Sequence, residues 1–183
     1  MRFFTPQLFT RFNSSNEVEA DRANENWEAA LGDYRKHLAE INERLPRGAQ
    51  ELAELCLHDA ELLSPEHTLE PVFSIPLEPF GSDVFCPAIT ILLLKQEHNL
   101  VSLIYVLSDR IRQHASPSNW RFSKLRIHWL YDEVDVDERQ PGHFLHRVLL
   151  SDGRVLEVPF ISVAIRRVPL SPSAGGKVAR TSA

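Results

Sequence analysis

Cysteine is scarce in this chain: two in 183 residues, Cys56 and Cys86. Neither sits in a paired spacing that suggests zinc or a redox motif. A thiolate metal cage is therefore disfavoured, and both thiols are read as reduced. Long apolar runs are missing too. The longest, residues 88–94, is strand length, well short of the ~18 residues of a membrane helix. Residues 1–16 carry an early arginine but no apolar core, so no secretory signal is read there. Positive charge is in deficit, with 20 Lys+Arg against 25 Asp+Glu, a net charge of −5 and a pI near 5.9. Acids and bases are interspersed with no basic face, which disfavours DNA, RNA and anionic membranes as partners. No glycine-rich phosphate loop and no Gly-x-Ser-x-Gly elbow occur. What remains is a cytoplasmic protein with no cofactor implied and an unknown protein or small ligand as its partner.

Hydrophobic residues make up 43% and charged residues 25%. That composition and length suit one soluble domain with a sizeable core. The opening MRFFTPQLFTRFN is too apolar for a loose tail and is expected to dock on the core. Ser14 with Glu17, or Asn16 with Glu19, can form a capping box, so a helix starts there. Ala20, Trp27, Tyr34 and Ile41 repeat every seven residues, with Leu31, Leu38 and Leu45 four after the last three. This stripe predicts a helix to about Arg44, paired antiparallel with a neighbour inside the chain. A turn at 45–48 leads to a second helix over 49–63.

Beyond Thr68 the pattern becomes strand-like. Residues 69–77 are apolar, but Pro71, Pro76 and Pro79 demote them to an edge strand. Residues 88–94 and 100–107 read as a hairpin, 108–114 as a helical turn. Residues 125–136 alternate, with Leu125, Ile127, Trp129 and Tyr131 on one face and Arg126, His128 and Asp132 on the other. Residues 144–150 and 155–165 flank Asp152-Gly153, the strongest hairpin signal in the chain. The expected fold is α+β: an N-terminal helical hairpin packed on a mostly antiparallel sheet of about five or six strands. The domain spans 1–168, and 169–183 is a disordered tail.

Two charges stand out. On a helix over 49–63, Asp59 falls inside the apolar arc beside Leu52, Leu55, Leu62 and Leu63, with Cys56 on the same arc. A buried carboxylate needs a partner, because an unpaired charge out of water is costly. A two-residue loop at Asp152-Gly153 pairs Leu149 with Leu156 and Arg147 with Val158. Arg147 then lies alone on an apolar face with Leu145, Leu149, Leu156, Val158 and Phe160. Asp59 and Arg147 are thus the structural buried-charge candidates and each other's expected partner. The chemical reading of Asp59 is a general base or metal ligand.

The segment HWLYDEVDVDER carries His128, Asp132, Glu133, Asp135, Asp137 and Glu138, but lacks the glycine and terminal glutamate of an EF-hand. It reads as a solvated strand end. His128 and Asp132 stand roughly 13 Å apart along a strand, too far to share a metal. His143 and His146 with Asp132 or Glu133 would give a His/carboxylate metal set. The stretches MRFFTPQLFTRFN, LCLHDAELL and WLYDEVDV…HRVLLSDGRVLEVPF resemble an uncharacterised bacterial domain-of-unknown-function family, across most of residues 1–165. The resemblance implies a bacterial, cytosolic protein and assigns no active site. The expected function is a non-catalytic binding or protein-interaction module. The alternative is a small metal-dependent hydrolase using Asp59 or the His128/Asp132 region.

Overall fold

The computed structural model describes residues 1–63, 89–122 and 126–170. The expected edge strand at 69–77 and Cys86 lie outside them. Four helical segments come first: α1 (Pro6–Phe12), α2 (Glu17–Ile41), a 3-10 turn (Asn42–Arg44) and α3 (Arg47–Ala53). The strands follow: β1 (Glu61–Leu62), β2 (Ile89–Gln96), β3 (Asn99–Leu107), β4 (Arg112–His114), β5 (Trp129–Val136), β6 (Phe144–Leu150) and β7 (Val155–Pro169). The class is α+β, as the periodicities predict. The helical hairpin is made by α1 and α2, not by α2 and the helix expected over 49–63, which shortens to α3 and packs on β7 and β5.

Local chemistry sets the helix starts. Thr5 accepts the Leu8 N–H, with Pro6 opening α1 where its missing N–H costs nothing. Asn16 accepts the Glu19 N–H and opens α2, while the Ser14 hydroxyl bonds the Glu19 carboxylate at 2.6 Å. Trp27, Tyr34 and Ile41 of the heptad stripe are buried; at the first repeat Ala23 is buried in place of Ala20, which is half-buried. The second expected helix stops early, at Ala53. Residues 54–60 turn instead, and Glu61–Leu62 joins the sheet.

All strand pairs are antiparallel, in the order β1-β2-β3-β7-β6-β5 with β4 beside β7. The sheet curls until its ends meet. Asp59 N–H donates to Trp129 O at 2.8 Å, Trp129 N–H to Ala60 O at 2.9 Å and Leu62 N–H to Ile127 O at 2.8 Å. The bridge Glu61↔His128 completes this seam and closes a small barrel. Strand β7 is its corner. Residues 155–160 pair with β6, then a register shift opposite Val106/Leu107 turns residues 160–169 onto β3. The expected helical turn near 112 is β4, which pairs with the start of β7. Leu170 N–H still reaches His98 O at 2.6 Å, so the fold extends two residues into the expected tail, and 171–183 lie outside the described residues.

Inward residues of every major strand fill the barrel, among them Leu92, Leu103, Trp129, Val148, Val158 and Phe160. Ile41, Leu45, Ala49, Leu52 and Leu57 join the same core, so the end of α2 and α3 pack into it. The outer side of β5 is covered by a second, aromatic layer: Phe4, Leu8, Trp27 and Tyr34 with Phe3, Phe9, Phe12 and Tyr131.

Two glycines separate packing from propensity. A Cβ on Gly48 would collide with the Val163 carbonyl, its carbon 3.2 Å away, so α3 lies against β7 only because residue 48 has no side chain. Gly32, inside α2, faces open space. Gly48→Ala is expected to cost about 1–3 kcal/mol by overpacking, and Gly32→Ala to stabilise by about 1 kcal/mol through helix propensity. Urea denaturation of both variants checks this. Equal effects would mean that α3 does not touch β7 so closely.

Candidate functional site

The structure separates the two charges that the sequence pairs. Asp59 lies beyond the end of α3, in a turn, with φ +63°. Aspartate tolerates that left-handed conformation better than most residues. Its side chain is 76% exposed and bonds His58 Nδ1 at 3.0 Å. It is therefore not a buried charge, because the helix that would have placed it inward ends six residues earlier. Cys56, expected on the same apolar arc, is exposed for the same reason. The structure does bring Asp59 to His128, but through the backbone: the Asp59 carbonyl is 3.3 Å from His128 Nδ1.

Arg147 misses Asp59 because the hairpin register differs by one residue. Leu150 N–H donates to Arg154 O and Gly153 N–H to Leu150 O, both at 2.9 Å. The loop therefore holds three residues, with Gly153 at φ +84°. Leu149 then faces Val155 and Arg147 faces Glu157. A one-residue slip turns every side chain over, so Arg147 lies on the outer face. There it bonds Glu157 at 2.9 Å and Asp135 at 3.3 Å. His37 of α2 holds the other oxygen of Asp135 at 2.9 Å, and Arg112 of β4 holds Glu157 at 3.0 Å. A ladder of alternating charge thus crosses β5, β6, β7 and β4. Burial works against the Arg147 charge, but Glu157 and Asp135 outweigh it and raise its pKa. Burial also works against the Glu157 carboxylate, and Arg147 then Arg112 outweigh that and lower its pKa.

Inside the barrel is a polar chain that the sequence only partly announces. A bulge at Leu130, between the pairs Trp129↔Leu150 and Tyr131↔Leu149, puts Trp129 and Asp132 on the same inward face. Asp132 accepts the Trp129 indole N–H at 2.9 Å and lies 3.0 Å from Nε2 of fully buried His146. Nδ1 of that ring is 2.7 Å from the Tyr105 hydroxyl. An ionised carboxylate only accepts, so with a neutral ring Nε2 carries the proton and Tyr105 donates to Nδ1. Burial, with the Asp132 charge adding to it, pushes the Tyr105 hydroxyl well above its ordinary pKa. The pairing of His146 with Asp132 is thus real, but each is spent on its neighbours. His143 stays in the loop before β6 and does not join them. Among the described residues no three His, Cys, Asp or Glu side chains converge as a metal set would, and no buried side-chain nitrogen or oxygen lacks a partner. Tyr105 was legible only as a hydroxyl in an apolar run, which buried packing obliges to find an acceptor or donor.

Glu133, expected in solvent, is 2% exposed. Its oxygens accept the backbone N–H groups of Arg2, Phe3 and Phe4 at 2.8, 2.7 and 2.7 Å. The Tyr34 hydroxyl, whose pKa burial raises, accepts the Val134 N–H beside it at 2.7 Å. The N-terminal segment docks as expected, and this carboxylate holds it.

Two parts of the surface remain open. The outer face of β2, β3 and the far half of β7 carries half-buried Leu93, Leu100, Ile104 and Val106 beside exposed Ala164 and Val168. Among the described elements the main helix contacts with the sheet fall on β7 and β5, not on β2 or β3. Elsewhere a cleft of about 710 Å³ runs between α1, the α1–α2 turn and residues 119–122. No family model, curated protein or solved structure matches this chain.

Glu133→Gln puts an amide where three N–H donors converge and is expected to cost about 2–3 kcal/mol, with faster hydrogen exchange at the amides of residues 2–4. Unchanged exchange there would mean that the carboxylate does not anchor the segment. Glu157 has a depressed folded pKa, so its stabilisation is complete above the ordinary glutamate value of about 4.3 and is lost as pH falls through the lower folded value. Urea denaturation in acid should therefore cost the wild type more stability than Glu157→Gln. Parallel losses would show that the ladder contributes no net stability.

Proposed function

We propose that this protein is a non-catalytic binding module that takes a protein partner on the outer face of β2, β3 and the far half of β7. One asymmetry carries the reading. The same barrel has two outer halves. Over β5 the outward side chains lie beneath the N-terminal segment and the α1–α2 hairpin. Over β2 and β3 the outward Leu93, Leu100, Ile104 and Val106 form an aliphatic strip bordered by Lys95, Ser102 and Arg166, and no described helix makes extensive contact with these strands. An apolar sheet face left open suits an interaction surface better than it suits bulk water. Exposed Leu63 beside Leu93, and exposed Val168 and Leu170 at the end of β7, extend it.

The interior supports a scaffold role, because its polar chain is closed on itself. A metal-dependent hydrolase is less well supported. The Asp59 carboxylate faces His58 and solvent, and Asp132 faces the barrel interior, so these candidates do not converge. A cytoplasmic setting is part of this proposal. No described helix is long and apolar enough to cross a membrane.

The test is a pair of measurements on residue 104. Ile104→Lys should change stability by less than about 1 kcal/mol, since only a half-buried outward side chain is altered. A photo-crosslinking residue at 104 should capture a discrete protein in the cells that make this chain, and one at Asp33 on exposed α2 should not. A loss of several kcal/mol in Ile104→Lys, or equal capture at both positions, would sink the reading.

A further inference from the structure

We infer that the cleft between α1, the α1–α2 turn and residues 119–122 is a binding site for a small organic phosphate. Its volume, about 710 Å³, is in the range of small-molecule sites. It continues past Arg11 and Glu19 into a second recess of about 390 Å³ beside Arg22. Three arginines, Arg11, Arg22 and Arg121, thus face this groove against one carboxylate, Glu19. That is a local cationic excess in a chain of net charge −5.

Arg44, Arg112, Arg126, Arg147 and Arg154 each sit against a carboxylate, whereas others such as Arg35, Arg47 and Arg139 do not among the described residues; what sets Arg11, Arg22 and Arg121 apart is that they line one continuous groove. Among the described residues Arg11, Arg22 and Arg121 have no such partner. The one acid in the groove is already engaged by the Ser14 hydroxyl. Unpaired guanidinium forks around a concavity match an anion with several acceptor oxygens. A monocarboxylate needs one fork, whereas a phosphate dianion makes use of two. The rest of the lining suits the organic part. Asn119 and Ser15 offer neutral donors and acceptors for hydroxyl groups. Phe122 supplies an apolar wall, fixed edge-on to Phe9 at 5.1 Å and Trp120 at 4.8 Å. The net negative charge of the chain works against a long polyanion such as nucleic acid, which leaves a small ligand.

Isothermal titration of the full chain with ribose 5-phosphate, AMP and inorganic phosphate tests this, with ribose and adenosine as uncharged controls and succinate as a dicarboxylate. The two organic phosphates should bind more tightly than inorganic phosphate, and the uncharged controls should not bind. Arg11→Gln and Arg121→Gln should each weaken binding by about ten-fold or more, and added salt should weaken it in the wild type. Their melting temperatures should not move, because both residues are exposed and have no carboxylate partner among the described residues. The Ile104→Lys protein should bind the phosphates normally, which keeps this site separate from the face proposed for a protein partner. Absence of binding at millimolar phosphate ester, succinate binding as tightly as ribose 5-phosphate, or full affinity in the Arg11→Gln/Arg121→Gln double variant would overturn the assignment. So would affinity for single-stranded oligonucleotides that rises with their length.

Discussion

One buried carboxylate holds the two layers of this protein together. Glu133 lies on the outer face of β5 and is shielded from water by the segment it binds. A charge in that position is tolerable only because three backbone N–H groups converge on it. The bonds fix residues 2–4, and that places Phe3 and Phe4 against Tyr34, and Phe4 against Trp27 and Tyr131. The same aromatic layer seats α2, whose Tyr34 and His37 then reach Val134 and Asp135 on β5. Without the carboxylate the N-terminal amides would face an apolar sheet with no acceptor. Without the segment Glu133 would be an unpaired charge. Each makes the other affordable.

The polar groups of this barrel fall into two sets that never meet. The inward set, Asp132, His146, Tyr105 and Trp129, is short, neutral at one end and closed. The outward set, from Asp135 to Arg112, is a ladder of alternating full charges at the edge of solvent, with His37 bonded to Asp135 at its end. A β-strand sends neighbours to opposite sides, so Asp132 and Glu133 are one residue apart and belong to different chemistries. Inside, any ionised group must be matched by dipoles already in place. Outside, partial hydration lets several ions share the load. This division argues for a framework whose polar residues specify register, with binding left to its surfaces.

Much of the framework was readable in the sequence. The stripe through Trp27, Tyr34 and Ile41 repeats at helical spacing, and it is the buried face of α2. The hairpin of β2 and β3, the turn near Gly153 and the α+β class follow from local patterns. The errors share a physical cause: one residue of backbone geometry decides which way a side chain points. A three-residue loop in place of two turned Arg147 from core to surface. An extra residue at Leu130 turned Asp132 inward. A helix ending at Ala53 released Asp59 into a turn whose positive φ nothing in the apolar arc foretells. The contact between Glu133 and residues 2–4 was out of reach of any local pattern, because it joins groups about 130 positions apart and its donors are backbone.

The corner strand β7 also has a consequence for how the protein is made. It pairs with β3, β4 and β6, and so joins the two halves of the barrel, yet it is the last strand of the described chain. As the polypeptide leaves the ribosome, α1, α2 and the β2–β3 hairpin emerge with no strand to bridge them to β6. Local helices and hairpins form early, whereas the cooperative barrel must wait for residues 155–169 to clear the exit tunnel. From the completion of β3 until β7 emerges the chain therefore displays the inward faces of β2 and β3 to solvent, and a chaperone would find its window there.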